Sequence, residues 1–226
     1  MPSVKEDKIM RILGLDFSIN KPAACLYDGN EYEFFSWPFG LSERLKSIYR
    51  ESWVNILDRT DVKYKGKDSS EKMRWEVQNA VYISGEIDKI MYLYDDIKYV
   101  IFEGISYASS GNMAIQLGGY KYILMKTLRG AGVKYENMYT YAPITIKKTA
   151  GASKKGMGKK EMIDSFIATG IRNSFREAIE KDPAKFQKKT GKWIDHLDDF
   201  VDAFWAIETF KEKELSSPPL IQPMAN

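Results

Sequence analysis

The sequence predicts an α/β domain: a mixed, five-stranded sheet flanked by helices on both faces. Three observations carry this expectation. Short apolar runs, rich in β-branched and aromatic residues, recur at 9–17, 22–28, 31–37, 98–104 and 133–143. The segments between the later runs place apolar residues at helical spacing. The order is three strands, then helix, strand, helix, strand, helix, which suits a mixed sheet covered on both sides.

The first run, IMRILGLDF (9–17), is apolar and ends in an acid, as a buried central strand would. PAACLYD and EYEFFSW flank Asp28-Gly29-Asn30, a turn triplet, so the opening reads as an antiparallel meander. Residues 41–57 show helical spacing at Leu41, Leu45 and Ile48, then at Trp53, Ile56 and Leu57, and 58–68 read as a polar loop. A long helix is expected over 70–94, with Trp75, Ala80, Ile83, Ile87, Ile90 and Met91 on a broad apolar face. KYVIFEG (98–104) is a short buried strand ending in Glu103, and another helix spans 111–129. VKYENMYTYAP (133–143) is a strand that stops at proline. A lysine-rich loop, a helix near 160–169, a basic segment at 181–192 and a final helix over 193–210 complete the chain.

Residues 1–212 are expected to form a single domain, and the proline-rich end, 213–226, a disordered tail. With 44% hydrophobic and 13% aromatic residues, the chain of 226 residues can bury a core of ordinary size. One cysteine, Cys25, excludes an internal disulfide framework and a cysteine zinc site. No apolar run reaches the roughly 18 residues of a membrane span, and the polar start MPSVKEDK is not a signal peptide. A cytoplasmic, nucleoid-associated protein is therefore expected, in a host cytoplasm if the source is viral.

The acids carry the chemistry. Asp16 ends the first strand, Glu103 ends a later one, and Asp199 and Asp202 lie three apart in the last helix, on one face. Asp195 could share that side, whereas Asp198 points elsewhere. Taken singly, each has an ordinary reading: a turn acid after a strand, or a solvated helix face. Their conjunction at strand ends, where functional groups of α/β sheets gather, points to one site. Clustered carboxylates repel, and oxygen-preferring Mg²⁺ or Mn²⁺ resolves that repulsion. Two such ions suit hydrolysis of a phosphodiester.

ILGLDFS, VIFEGIS and DDFVDAFWAI, in this order, resemble the RuvC-type Holliday junction resolvases of the ribonuclease H-like superfamily. The family pattern is an acid after the first strand, a glutamate after the fourth, and D-x-x-D-A on the last helix. The resemblance implies a ribonuclease H-like fold and assigns catalysis and metal binding to Asp16, Glu103, Asp199 and Asp202. Asp198 competes for the third place, but the D-x-x-D-A spacing favours Asp199. NMAIQLGGYKYILM matches the small-residue helix after the glutamate. KKTAGASKKGMGKKEMI supplies Lys147 or Lys148, Gly151, and Lys159 or Lys160 at the family's loop lysines. The segments 41–72 and 176–192 look unlike compact bacterial members and are similar to resolvases of bacteriophages and other viruses.

The resemblance implies a Mg²⁺-dependent crossover junction endodeoxyribonuclease of recombination and repair. Two ions per active site are expected, with Mn²⁺ able to substitute. The partners implied are branched DNA and a second copy of the chain, with no membrane and no small-molecule substrate. A two-fold junction calls for two active sites, and the helices at 70–94 and 111–129 are the candidate interface. Lys147, Lys148, Lys154, Lys155, Lys159 and Lys160 form one candidate phosphate-binding cluster, and lysines 181, 185, 188, 189 and 192 a second. Tyr107 could stack on or wedge open bases, or simply pack in its loop. His196, the one histidine, reads as a helix-start residue contacting solvent or as an aid to proton transfer. Trp193, Phe200, Phe204, Trp205 and Ile207 read as core.

Three rival readings remain open. One is a ribonuclease H-like nuclease for RNA–DNA hybrids or single strands. Another is a non-catalytic junction-binding protein. The third is an actin- or sugar-kinase-type ATPase, which the absence of an internal duplication disfavours.

Overall fold

The computed structural model describes residues 10–59, 64–94, 96–105 and 111–216. Six strands form one sheet: β1 (Arg11–Asp16), β2 (Ala23–Tyr27), β3 (Tyr32–Ser36), β4 (Val54–Ile56), β5 (Ile97–Glu103) and β6 (Met138–Tyr141). Their order is β4-β3-β2-β1-β5-β6. β1, β2 and β3 pair antiparallel, while β4 runs parallel to β3, and β5 and β6 run parallel to β1. The meander turns where Asp28 Oδ1 accepts from the backbone of Asn30 and Glu31, with Gly29 at φ 99°.

Side-chain alternation divides the core in two. Ile12, Cys25, Phe34 and Ile101 point to one face and join Phe166, Phe175, Phe200 and Phe204. Leu13, Leu15, Trp37, Val100 and Phe102 point to the other and meet Ile83, Ile87, Leu124 and Leu128. The second face is covered by α2 (Ser69–Leu93), capped by Asp68, and α3 (Gly111–Gly130). The first face is covered by α4 (Pro143–Thr149), α5 (Lys159–Ala168), α6 (Ser174–Lys181) and α7 (Leu197–Phe210). A short helix, α1 (Glu43–Arg50), leads into β4. Among the described residues, no helix is long and apolar enough to cross a membrane.

Several elements depart from the sequence expectation. The helix expected over 41–57 ends at Arg50, and the sheet gains a sixth strand. Trp53 takes φ 66°, and Ser52 Oγ donates to the Ile48 carbonyl, so the chain turns. Val54 and Ile56 are then buried, with Asn55 between them exposed: a period of two that the apolar spacing had masked. The strand expected over 133–143 keeps four residues, Met138–Tyr141, after a 3₁₀ turn at Tyr135–Asn137. The lysine-rich stretch after it begins as a helix, because Pro143 is preset for a first turn. The unexpected α6 buries Phe175 and Ile179 and is capped by Asn173, which accepts from Arg176 N at 2.9 Å.

The final helix starts at Leu197, not at 193. Ile194 N donates to Phe186 O, Gln187 bridges Trp193, and Lys188 N donates to Lys192 O. This pairing pulls Trp193 and Ile194 into an extended path. Beyond Phe210 a π turn continues through Leu215, with Glu214 accepting from the Tyr141 hydroxyl at 2.9 Å. Residues 213–216 of the expected tail therefore belong to this turn or its end. Residues 217–226 lie outside the described residues.

Candidate metal centre

Register brings the strand-end acids together. Leu15 pairs with Phe102 across the parallel β1–β5 ladder, so Asp16 and Glu103 follow on adjacent strands. Ile12, Gly14 and Asp16 alternate onto the α7 face of the sheet, as do Ile101 and Glu103. α7 crosses there with Ala203 over Gly14, where an added Cβ would meet the Ala203 carbonyl oxygen at 2.2 Å. Glycine and alanine thus let the helix approach closely, and Asp202 reaches the strand ends. Phe200, Phe204, Ala206 and Ile207, all fully buried, pin the helix. Phe200, Phe204, Trp205 and Ile207 are core, as expected, while Trp193 is only partly buried.

Asp16, Glu103 and Asp202 each offer a carboxylate oxygen, and these lie within 4.8 Å of one another. Asp199 stands close enough to Asp16 for its charge to act on the Asp16 carboxyl. Burial holds the Asp16 carboxyl well above the usual carboxylate range, and Asp199, Glu103 and Asp202 push it further. Asp202 is raised for the same reasons, burial first and then Glu103, Asp198 and Asp199. Burial also raises Glu103, opposed chiefly by Lys147 and then by Lys159 and Lys121. A buried set of oxygen donors whose negative charges repel one another fits a hard divalent cation.

Of the six candidate lysines, Lys147 and Lys159 act on Glu103. Lys159 forms an ion pair with Asp198, which explains that acid without making it part of the trio. Lys160 pairs with Asp164 along α5. Lys148, Lys154 and Lys155 are exposed. In the second basic cluster, Lys185 pairs with Glu51 at 2.9 Å and Lys188 with Asp195 at 2.7 Å, so part of that charge is used within the chain. Asp195 lies outside α7, and its Lys188 hydrogen bond lowers its carboxyl. Tyr107 lies outside the described residues.

Two further residues enter the site: Lys121, which its sequence context does not single out, and His196, expected at a helix start. Lys121 of α3 lines the same cleft as Asp16 and Glu103, donates to Thr140 Oγ1 at 2.8 Å and lies over the Phe102 ring. Burial pushes its ammonium down to about 8, against the pull of Glu103. Its signal was a lone lysine at a helix position among apolar neighbours. His196 is buried rather than solvent-facing, at 1% exposure, with φ 81°. Holding a non-glycine residue in that region costs about 1–3 kcal/mol and persists only where packing enforces it. The imidazole Nδ1 lies 2.5 Å from Asp199 Oδ2 and Nε2 2.5 Å from Ser36 Oγ.

No family model and no curated protein matches the sequence. Solved structures do match. The chain is similar to the structure of Thermus thermophilus RuvC in complex with a Holliday junction substrate. The TM-score is 0.50 and the identity 13%, over 90% of this chain and 95% of that one. It is also similar to the yeast mitochondrial Holliday junction resolvase Ydc2, with a TM-score of 0.51 and 12% identity, over 89% and 78% of the two chains. The fold is RuvC-like: a mixed α/β sheet in the ribonuclease H-like arrangement.

Proposed function

We propose that the protein is a structure-selective DNA endonuclease that resolves four-way junctions, and other branched DNA, by divalent-metal-dependent hydrolysis. The observation that carries this reading is the trio Asp16, Glu103 and Asp202, within 4.8 Å on a RuvC-like fold. Asp16, Glu103, Asp199 and Asp202 hold two Mg²⁺ ions, and Mn²⁺ substitutes. Bound there, the ions supply an activated water and offset charge on the departing oxygen. The protein's own part is positional. The two strand ends and α7 fix the carboxylates, and buried Phe200, Phe204 and Ile207 seat α7 against the sheet. Lys147, Lys159 and Lys121 offer ammonium groups to the phosphate beside the cut. Lys148, Lys154, Lys155 and Lys160 contact phosphates farther out, and Tyr107 stacks on bases at the junction.

The test is cleavage of a labelled mobile junction with Mg²⁺, alongside an RNA–DNA hybrid and single-stranded DNA. Paired, symmetric nicks with 5′-phosphate ends confined to the junction support the reading. Preferred cutting of the hybrid or the single strand would replace it with the corresponding nuclease, and junction binding without cutting would leave a binding protein. Replacing Lys154 and Lys155 together with alanine should weaken junction binding and reduce the slope of log affinity against log salt by roughly 2, at about 0.9 per phosphate contact. Titration at several salt concentrations reads that slope.

We also propose that two copies pair through α2 and α3. Met73, Val77 and Val81 form a stripe along α2 at 60%, 50% and 57% exposure, next to exposed Ile115 on α3. A shallow groove of about 290 Å³ runs between them, lined also by Gly119 and Ile123. Apolar stripes of this kind on a surface mark association. Val77→Asp with Ile115→Asp should give a folded monomer by light scattering that nicks junctions without pairing the nicks.

A further inference from the structure

The acids do not form one equal group. Asp16, Glu103 and Asp202 converge, while the Asp199 carboxylate is turned to His196. The imidazole is itself held from behind. Ser36 Oγ donates its one hydrogen to the Pro22 carbonyl at 2.6 Å, since a carbonyl can only accept. Ser36 must therefore accept from Nε2–H of His196, and the short Nδ1–Asp199 contact is a hydrogen bond whose additional proton lies between the second ring nitrogen and the carboxylate. The Phe200 ring lies 4.5 Å from the imidazole, centroid to centroid, and Tyr49 meets it edge-on. The Tyr49 hydroxyl donates to the Asp195 carbonyl at 2.6 Å and so holds the turn in which His196 takes its positive φ. Ser36 ends β3 and pairs with Ala23, which pairs with Asp16, so the whole chain of contacts sits at the acidic end of the sheet.

We infer that His196 is a positioning residue that fixes the Asp199 carboxylate to one side of the trio, and so creates a second cation subsite between Asp199 and Asp16. This rests on the metal-dependent nuclease reading. Asp16 suits the shared position, since it is one of the trio and Asp199 is the first of the charged groups that act on it. Without the imidazole, Asp199 is free to rotate, and the second subsite loses its fixed donor. The first subsite, built from the trio, keeps its donors.

The test is Mn²⁺ binding by calorimetry on the whole chain without DNA, comparing wild type, His196→Asn and Ser36→Ala. Asparagine tolerates the positive φ but leaves Asp199 Oδ2 beyond its reach. Ser36→Ala leaves the backbone alone and removes the group that orients the ring. Wild type should bind two ions. Both variants should keep one ion at near wild-type affinity and bind the second at least 10-fold more weakly, with melting temperatures that do not explain the loss. Cleavage should then need correspondingly more Mg²⁺ for half-maximal rate. Two-ion binding unchanged in Ser36→Ala, or in a folded His196→Asn, overturns the positioning role and leaves the nuclease reading standing. A wild type that binds no Mn²⁺ overturns both. If His196→Asn fails to fold, Ser36→Ala decides alone.

Discussion

Asp16→Asn should abolish junction cleavage while leaving junction binding intact in Ca²⁺. The charges of Asp199, Glu103 and Asp202 all act on Asp16. Removing one shared anionic donor forfeits about 4 kcal/mol or more of transition-state stabilisation, or a fall of about 10³-fold in rate. Gel-shift titration in Ca²⁺ and single-turnover cleavage in Mg²⁺ separate the two properties. Retained cutting, or loss of binding in a folded variant, would count against the assignment.

The same substitution should stabilise the metal-free protein near neutral pH. The Asp16 carboxyl is raised in the folded state, so the folded chain binds its proton more tightly than the unfolded chain does. Stability therefore declines as pH climbs from the ordinary value of about 4 toward the raised one, and Asp202 and Glu103 add to the decline. Asparagine carries no such charge. Thermal melts from pH 5 to 8 without metal should show a smaller decline in Asp16→Asn than in wild type. Mg²⁺ should raise the melting temperature of wild type and barely move the variant.

Gly14→Ala should be the most damaging one-methyl change in the fold. The new Cβ would stand 2.2 Å from the Ala203 carbonyl oxygen and 2.7 Å from Ile207 Cγ1. Neither side can yield: one is helix backbone and the other is fully buried between α7 and the sheet. Displacing α7 should cost about 3 kcal/mol or more, lowering the melting temperature by about 6–12 °C for a chain of this size. It also moves Asp202, the neighbour of Ala203, so the Mg²⁺-induced shift should shrink. Gly85→Ala is the control. It sits on an exposed turn of α2 with nothing within 4 Å of an added Cβ, and should stabilise by about 0.5–1 kcal/mol.

The strands and their acids were legible because a period of two is unambiguous when an apolar run stops at a carboxylate. Asp16 and Glu103 needed only the additional step that β1 and β5 are neighbours. Trp53 and β4 were not legible, because Trp53, Ile56 and Leu57 fit a helical spacing as well as a turn and a strand. The start of α7 was misplaced because Trp193 and Ile194 are apolar enough for a helix, and only their pairing with residues 186–188 forbids it. His196 could not be read from its neighbours in sequence, since its partner Ser36 comes from the first hairpin. Lys121 was hidden for a similar reason: its chemistry comes from Glu103 and Thr140, which the chain supplies from two other elements.

The position of α7 has a consequence for when the centre comes into being. Asp16 and Glu103 lie on early strands, and Asp202 belongs to a helix that leaves the ribosome only after all six strands. Chains fold broadly from the N-terminus during synthesis, so a nascent chain can pair β1 with β5 and still hold two acids of three. The acidic centre is then a property of a chain that extends through α7 and of no fragment that stops short of Leu197. An unfinished or truncated copy should be unable to cut, which keeps any nuclease activity tied to completed synthesis.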